Sequence, residues 1–264
     1  MNTRHGWRSF MIAASLLVTT LSAHAGDPGF CTRSKADLLN LFSQAGNRMG
    51  FQNDGGLGDG GVCWWHSRLQ RSSIYLAQYA PEKPKPTEAA ATEMVRALAF
   101  FSRVVEIPGY SNFSTFSIDY KTVIQKELNH WQLRDGFINQ QWIRGISGNY
   151  TLPADVLHQH MDHIHAAFLN SQAGIWVMVQ LKGIGSHALL VIGMEKTENG
   201  YTLSAIDSNY PDITRIFNYQ IGDHSIDLGI NGDHQLSEAF TPYLGFQRDF
   251  LRINTAIRHY CPTF

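Results

Sequence analysis

No stretch of this 264-residue chain is apolar for the roughly 20 positions that a helix needs to cross a bilayer. The longest such run, Phe10 to Leu21, has 12 residues. It follows Arg4 and Arg8 and precedes Ala23-His-Ala25, the layout of a secretory signal peptide with small residues at the cleavage site. The sequence therefore predicts a signal over 1–25, a mature start near Gly26, and a secreted or periplasmic protein with no membrane segment left after cleavage. A surplus of basic charge is missing too. Loss of the signal leaves 19 basic against 22 acidic residues, a formal net charge of −3, and no basic stripe that would suit nucleic acid. Cysteine is scarce. An exported chain with three cysteines can pair two at most and leaves one over. Cys31 and Cys261 lie near the two mature ends, which favours a bridge between them and a free Cys63; the competing reading keeps all three reduced and buried. There is no repeat array and no low-complexity tail.

The remaining chain, about 239 residues, suits one domain over 26–264 with a sizeable core. Apolar residues recur at helical spacing from about 62 to 79, where Pro81 stops the run, and Pro81-Glu-Lys-Pro-Lys-Pro86 is a stiff exposed connector. Thr87 can cap a second helix whose apolar face reaches Val105 before Pro108-Gly109. A third helical stretch covers about 119–144, with a break near Gly136, and a fourth about 154–170. The period then shortens. The runs 174–181, 186–193, 201–207 and 214–221 are β-rich segments divided by glycine and polar turns, as in an antiparallel meander. Helices first (about 60–170) and strands afterwards (about 174–264) imply an α+β fold. Phe240, Tyr243, Leu244, Phe246 and Phe250 suggest that the last part packs back onto the core.

Cys63 stands out within that frame. It follows the glycine-dense Asn53-Asp-Gly-Gly-Leu-Gly-Asp-Gly-Gly-Val and precedes two tryptophans at the start of a helix. Free N–H groups and the positive end of the helix dipole favour negative charge on sulfur at such a place, the local setting of a nucleophile. A cysteine nucleophile needs an imidazole to take its proton and a third group to orient that imidazole. His187 opens an apolar strand just after Lys182-Gly-Ile-Gly-Ser186, a place that can set a side chain at the rim of a cleft. The next strand ends in Ala205-Ile-Asp207-Ser-Asn209, and an extended backbone would turn Asp207 and Asn209 to the same face. Either can orient the ring; Asp207 is the first choice.

Gly61-Val-Cys63-Trp64 at a helix start, Ser186-His187-Ala-Leu-Leu-Val-Ile-Gly193 on a strand and Ile206-Asp207-Ser-Asn209 at the next strand end resemble the papain-like cysteine peptidase superfamily. The strand portion is most similar to bacterial members that cut leader peptides. The resemblance covers about 60–79 and 156–209. It implies a nucleophile helix packed on an antiparallel β-meander, Cys63 as nucleophile, His187 as general base and acid, Asp207 or Asn209 as the orienting group, a protein or peptide substrate, and no cofactor or metal. The chain departs from the family in three respects, the first being that only 37 mature residues are expected before Cys63, too few for a long inhibitory propeptide of the papain type. Gly60-Gly-Val-Cys63-Trp lacks the extra cysteine of the plant-type Cys-Gly-Ser-Cys-Trp motif, and Leu57 falls where the oxyanion-hole glutamine would stand. Gln52 or Asn53 would have to reach across the loop instead, with the Cys63 N–H as second donor. A cell-wall amidase or a transglutaminase-like acyltransferase would use the same residue types, and a catalytically silent binding domain is the reading from outside enzymology.

His158, His160, His163 and His165 crowd one predicted helix together with Asp162. Spacings of three and seven can bring two imidazoles together for zinc or copper, yet intervals of two and five spread the others around the helix, so a solvated face is preferred. His66, three after Cys63, lacks a second ligand pair and reads as packing. Gly55-Gly-Leu-Gly-Asp59 is a single copy and cannot build a stacked calcium site.

The cysteine arithmetic makes a direct prediction. Mass mapping of unreduced protein should recover a Cys31–Cys261 peptide and an alkylatable Cys63; a peptide linking Cys63 to either partner would remove it as a nucleophile.

Overall fold

The computed structural model describes residues 28–56, 61–137, 151–171, 173–181, 186–228, 236–242 and 246–261. The expected signal segment, Leu57, Trp142, the 182–185 turn and Tyr243 to Leu244 lie outside the described residues. A short helix α1 (Pro28–Cys31) leads to α2 (Lys35–Ser43), which begins with a reciprocal capping box between Ser34 and Asp37. Next comes α3 (Cys63–Leu76), which runs straight into strand β1 (Ala77–Ala80). After α4 (Glu88–Ala99), capped by the Thr87 side chain, strand β2 (Val105–Pro108) pairs in parallel with β1. Helices α5 (Phe113–Asp119), α6 (Lys121–Phe137) and α7 (Ala154–Asn170) complete the helical part.

The sheet follows in the order of the chain. Strands β3 (Ile175–Gln180), β4 (Ser186–Thr197), β5 (Gly200–Asp207) and β6 (Tyr210–Gln220) form the antiparallel meander that the sequence predicts. Strands β7 (Ile226–Asp227) and β8 (Leu236–Pro242) extend it on the β3 side, for a spatial order β6-β5-β4-β3-β8-β7. A last helix, α8 (Phe246–Tyr260), returns to the helical side. The protein is thus α+β with an antiparallel sheet.

Several boundaries differ from the sequence reading. α3 stops at Leu76, and Gln78 and Tyr79 belong to a strand, because pairing with the β-branched Val105 and Ile107 competes with one more helical turn. α4 stops at Ala99 although apolar spacing continues to Val105. Phe101 takes a left-handed φ of 54°, and the bonds Ser102 N–H to Ala97 O (3.0 Å) and Phe101 N–H to Leu98 O (3.0 Å) close a Schellman-type end. Of the 119–144 stretch, Asp119 ends α5 and α6 runs from Lys121 through Gly136 to Phe137 without the expected break; 138–144 lie outside the described residues. The segment assigned to β structure up to 264 ends instead in α8. Its signal was present: Phe250, Ile253, Ile257 and Tyr260 recur at helical spacing.

The sheet is covered on both faces. Leu157, Met161, Ile164 and Phe168 of α7 pack on Ile175, Val177, Leu189, Val191 and Leu203. On the other face α3 meets Trp176, Ala188, Leu190 and Ile206, with Trp64 stacked on Trp176 at 4.4 Å and 12°. Each fully buried aliphatic or aromatic side chain contributes about 1.5–3 kcal/mol. Every residue of α3 from Trp64 to Leu76 is buried, while Cys63 at its start is half-buried. Enclosure that complete takes polar groups inside with it. Arg68 donates from Nε to the Ala99 carbonyl (2.9 Å), capping the end of α4, and Arg71 donates from Nε to the Gly174 carbonyl (3.0 Å). Both guanidiniums face the buried Asp249 carboxylate of α8, at 3.5 and 3.9 Å.

The Cys31–Cys261 disulfide is present, with the two Cα atoms 5.8 Å apart, and ties α1 to the end of α8; Cys63 is free. The Asp249 contacts carry a stability prediction. Asp249→Ala would leave two buried guanidiniums without their carboxylate, a loss of about 3–5 kcal/mol. Urea unfolding followed by tryptophan fluorescence checks it, and a loss under about 1 kcal/mol would assign the tie between α3 and α8 to apolar packing alone.

Candidate active site

Strand register explains why His187 and Asp207 meet. Leu189 of β4 lies opposite Asp207 of β5. His187 is two residues before Leu189, hence on the same face and diagonal to Asp207, a separation that long side chains span. Both are at strand ends, His187 at the start of β4 and Asp207 at the end of β5. The His187 Nε2 donates to Asp207 Oδ1 at 2.7 Å, with both side chains buried. An ionised carboxylate only accepts, so Nε2 carries the proton and Nδ1 is the nitrogen left for another partner. That partner is Cys63, whose side chain hydrogen-bonds the ring and acts on it as a negative charge.

Burial alone would push His187 down. The hydrogen bonds and negative charges of Asp207 and Cys63 outweigh it and hold the imidazole up, at about 10. For Asp207, burial alone would raise the carboxyl. The bond and positive charge of His187, the Asn209 N–H on Oδ1 (2.9 Å) and the charge of Arg215 outweigh that and hold it below the usual carboxylate range. Arg215 on β6 donates from Nη1 to Asp207 Oδ2 at 3.1 Å.

Asn209 is placed differently from the expectation. β5 ends at Asp207, and Ser208-Asn209 form the two-residue turn into β6, so Asn209 does not continue the extended backbone that would have aligned it with Asp207. Its side-chain oxygen accepts from Asn53 Nδ2 (2.9 Å), so Asp207, and not Asn209, contacts the ring. Asn53 in turn joins the two halves of the site. Its Oδ1 accepts from the Val62 N–H (2.6 Å) at the start of α3, and its own N–H donates to the Ser208 carbonyl (2.7 Å). Gly61 is needed for this clasp: its φ is +79°, and a Cβ there would sit 2.3 Å from Asn53 Nδ2.

Gln52, the other proposed oxyanion donor, is exposed and lines a hollow of about 410 Å³ with Met49, Ser114, Pro211 and Asp212. The Asn53 N–H beside it is fixed to the Ser208 carbonyl, and Gln52 itself stands on the solvent side. Asn53 itself has its amide committed to Asn209. The donor that remains is backbone. Val62 at the N-cap has no oxygen to cap the first N–H groups of α3, which open at Cys63.

His66 is buried as packing, its Nε2 donating to the Phe51 carbonyl (3.0 Å). Burial pushes it down to about 4, so it stays neutral and does not compete with His187 as a base. Two of the four α7 histidines lie against tyrosines, His158 stacked on Tyr219 at 6.0 Å and His165 tilted against Tyr201 at 5.1 Å. Among the described residues no group of three or more His, Cys, Asp or Glu is arranged to hold a metal ion. Arg215 and the bridging role of Asn53 escaped the sequence reading; both depend on which loops and strands become neighbours.

No protein-family model matches the chain, and no curated protein or solved structure matches it either.

The pair has a definite pH signature. The folded value of His187, about 10, lies above its ordinary 6.5, so its contribution is complete below pH 6.5 and is lost as pH rises through about 10. Asp207 has the opposite sign, contributing above its ordinary 3.8 and losing that contribution as pH falls through its lower folded value. The stability difference between the parent protein and His187→Ala should therefore be widest near and below neutral pH, shrink as pH rises from about 6.5 towards 10, and level off above that. Urea unfolding of both proteins across that range measures it; a constant difference would contradict the pairing.

Proposed function

We propose that the protein is an exported papain-like cysteine peptidase that hydrolyses peptide bonds in a protein or peptide substrate. The observation that supports this most is the division of the His187 ring, with Nε2 on Asp207 at 2.7 Å and the other nitrogen left for Cys63 at the start of a buried helix. A ring held in one orientation by a carboxylate can keep the proton shared with Cys63 on Nδ1 and pass it on without reorienting.

The steps follow from those positions. With His187 held up at about 10, Nδ1 already carries the proton at neutral pH, and the Cys63 sulfur, paired as thiolate with that imidazolium, attacks the substrate carbonyl carbon. The resulting oxyanion lies at the N-terminus of α3, where the Cys63 N–H can donate to it. His187 then passes its proton to the amine nitrogen as the C–N bond breaks and a thioester forms. Water loses a proton to the same nitrogen and adds to the thioester carbon, and the C–S bond breaks to restore the thiolate beside the protonated ring. No cofactor or metal enters this scheme. Export and a soluble mature chain remain part of the proposal; no helix among the described residues is long and apolar enough to cross a membrane.

Cys63→Ala should abolish labelling by an iodoacetamide probe and hydrolysis of an unfolded protein substrate such as casein. His187→Ala should slow both by about 10²–10⁴-fold, with the fold kept by circular dichroism. Full turnover in His187→Ala would require a different base. Release of products from peptidoglycan, or amine incorporation, in place of casein cleavage would move the assignment to an amidase or an acyltransferase.

A further inference from the structure

The β5–β6 hairpin contains an irregularity beside the candidate site. Asp207 pairs with Tyr210, so an unbroken register would set Asp212 opposite Ala205. The register shifts between Ala205 and Asp207, and Ala205 faces Arg215 instead. Bulges of this kind re-aim side chains and cluster next to active sites. Here the consequence is a change of charge sign. A carboxylate beside Asp207 would repel it and disfavour its ionised form; the shift supplies a guanidinium. Asp212 is displaced into the neighbourhood of Arg48, whose Nη2 donates to Thr214 Oγ1 at 2.6 Å.

Arg215 is held from three directions. Nη1 donates to Asp207 Oδ2 (3.1 Å), Nη2 donates to the Leu228 carbonyl (2.6 Å), and the guanidinium lies over the rings of Tyr210 (4.9 Å) and Phe217 (5.3 Å). Two separate nitrogens with fixed spacing are required for the first two contacts, a demand that a lysine ammonium does not meet. Asp207 is wholly buried. Its Oδ1 accepts from both His187 and the Asn209 N–H, and Oδ2 is taken by Arg215, so the carboxylate cannot rotate without losing a charged bond.

We infer that Arg215 is a positioning residue of the site: it fixes the Asp207 carboxylate, ionised and oriented, so that Oδ1 is always presented to His187 Nε2. The role rests on the peptidase reading for its consequence in catalysis, but the effect on Asp207 does not. The charged and titratable groups that act on Asp207 are His187 from β4, Arg215 from β6 and the neutral His66 from α3, with Cys63 on the far side of the His187 ring.

Two variants test it. In Arg215→Gln the midpoint of the Asp207 carboxyl titration, followed by ¹³C NMR, should move up by about one pH unit or more. The acid limb of Cys63 alkylation by iodoacetamide should move up with it. A folded Arg215→Gln with both midpoints at their parental positions would overturn the inference and leave Arg215 a packing residue. Arg215→Lys keeps the charge but not both anchors. It should leave the carboxyl midpoint near the parental value while lowering the plateau alkylation rate several-fold; a parental plateau overturns the orienting role, even should Arg215→Gln fail to fold. Failure of the function itself looks different. Alkylation of the parent protein that does not depend on His187 would remove the peptidase reading, with the Asp207 titration still deciding the role of Arg215.

Discussion

The guanidiniums of Arg68 and Arg71 meet the Asp249 carboxylate inside the protein, and much of the architecture is arranged around that meeting. α3 is enclosed along its whole length after Cys63, so no polar group on it can be left to water. Arg68 reaches the end of α4, Arg71 reaches the turn before β3, and Asp249 brings α8 across to both. Removing water from these groups costs several kcal/mol per ion, and only the combined carbonyl, carboxylate and ring contacts offset it. The guanidinium of Arg68 lies over Trp65 at 4.9 Å and Phe101 at 4.6 Å, so even its flat faces are in use. A helix held so rigidly gives its first residue a defined position, and that residue is Cys63.

The candidate site repeats this logic at smaller scale. Asp207 is a buried charge that survives because both of its oxygens have donors, two on Oδ1 and one on Oδ2. Its charge, with that at Cys63, keeps the His187 ring protonatable despite complete burial. Asn53 adds a mechanical link, with one end of its amide on the start of α3 and the other on the turn after β5. The start of the Cys63 helix and the turn that follows Asp207 are thereby tied through a single residue.

How far the sequence could be read varies with how local the deciding interaction is. The meander was visible because alternation, β-branching and glycine turns act within a few residues. Thr87 as a helix cap and the pairing of the two outer cysteines were equally local or arithmetical. The ends of α3 and α4 were misjudged because a distant strand pair and a left-handed Phe101 overrode apolar spacing. Asn209 was placed on an extended strand, whereas the hairpin turns there. Whether Gln52 reaches across its loop is a property of the folded loop, which order along the chain does not encode.

By itself, then, the sequence determined which residue types stood ready: one unpaired cysteine at a helix start, a histidine at a strand start, and an acid at the next strand end. Those follow from order and period along the chain. Only the tertiary structure decided that Asp207, not Asn209, contacts the ring, that Arg215, not Asp212, stands beside Asp207, and that Asn53 joins the start of α3 to the turn after β5. The reason is geometric. Register shifts and two-residue turns change which side chains face each other, and no periodicity in the chain encodes a shift that arises from packing two strands and a loop together.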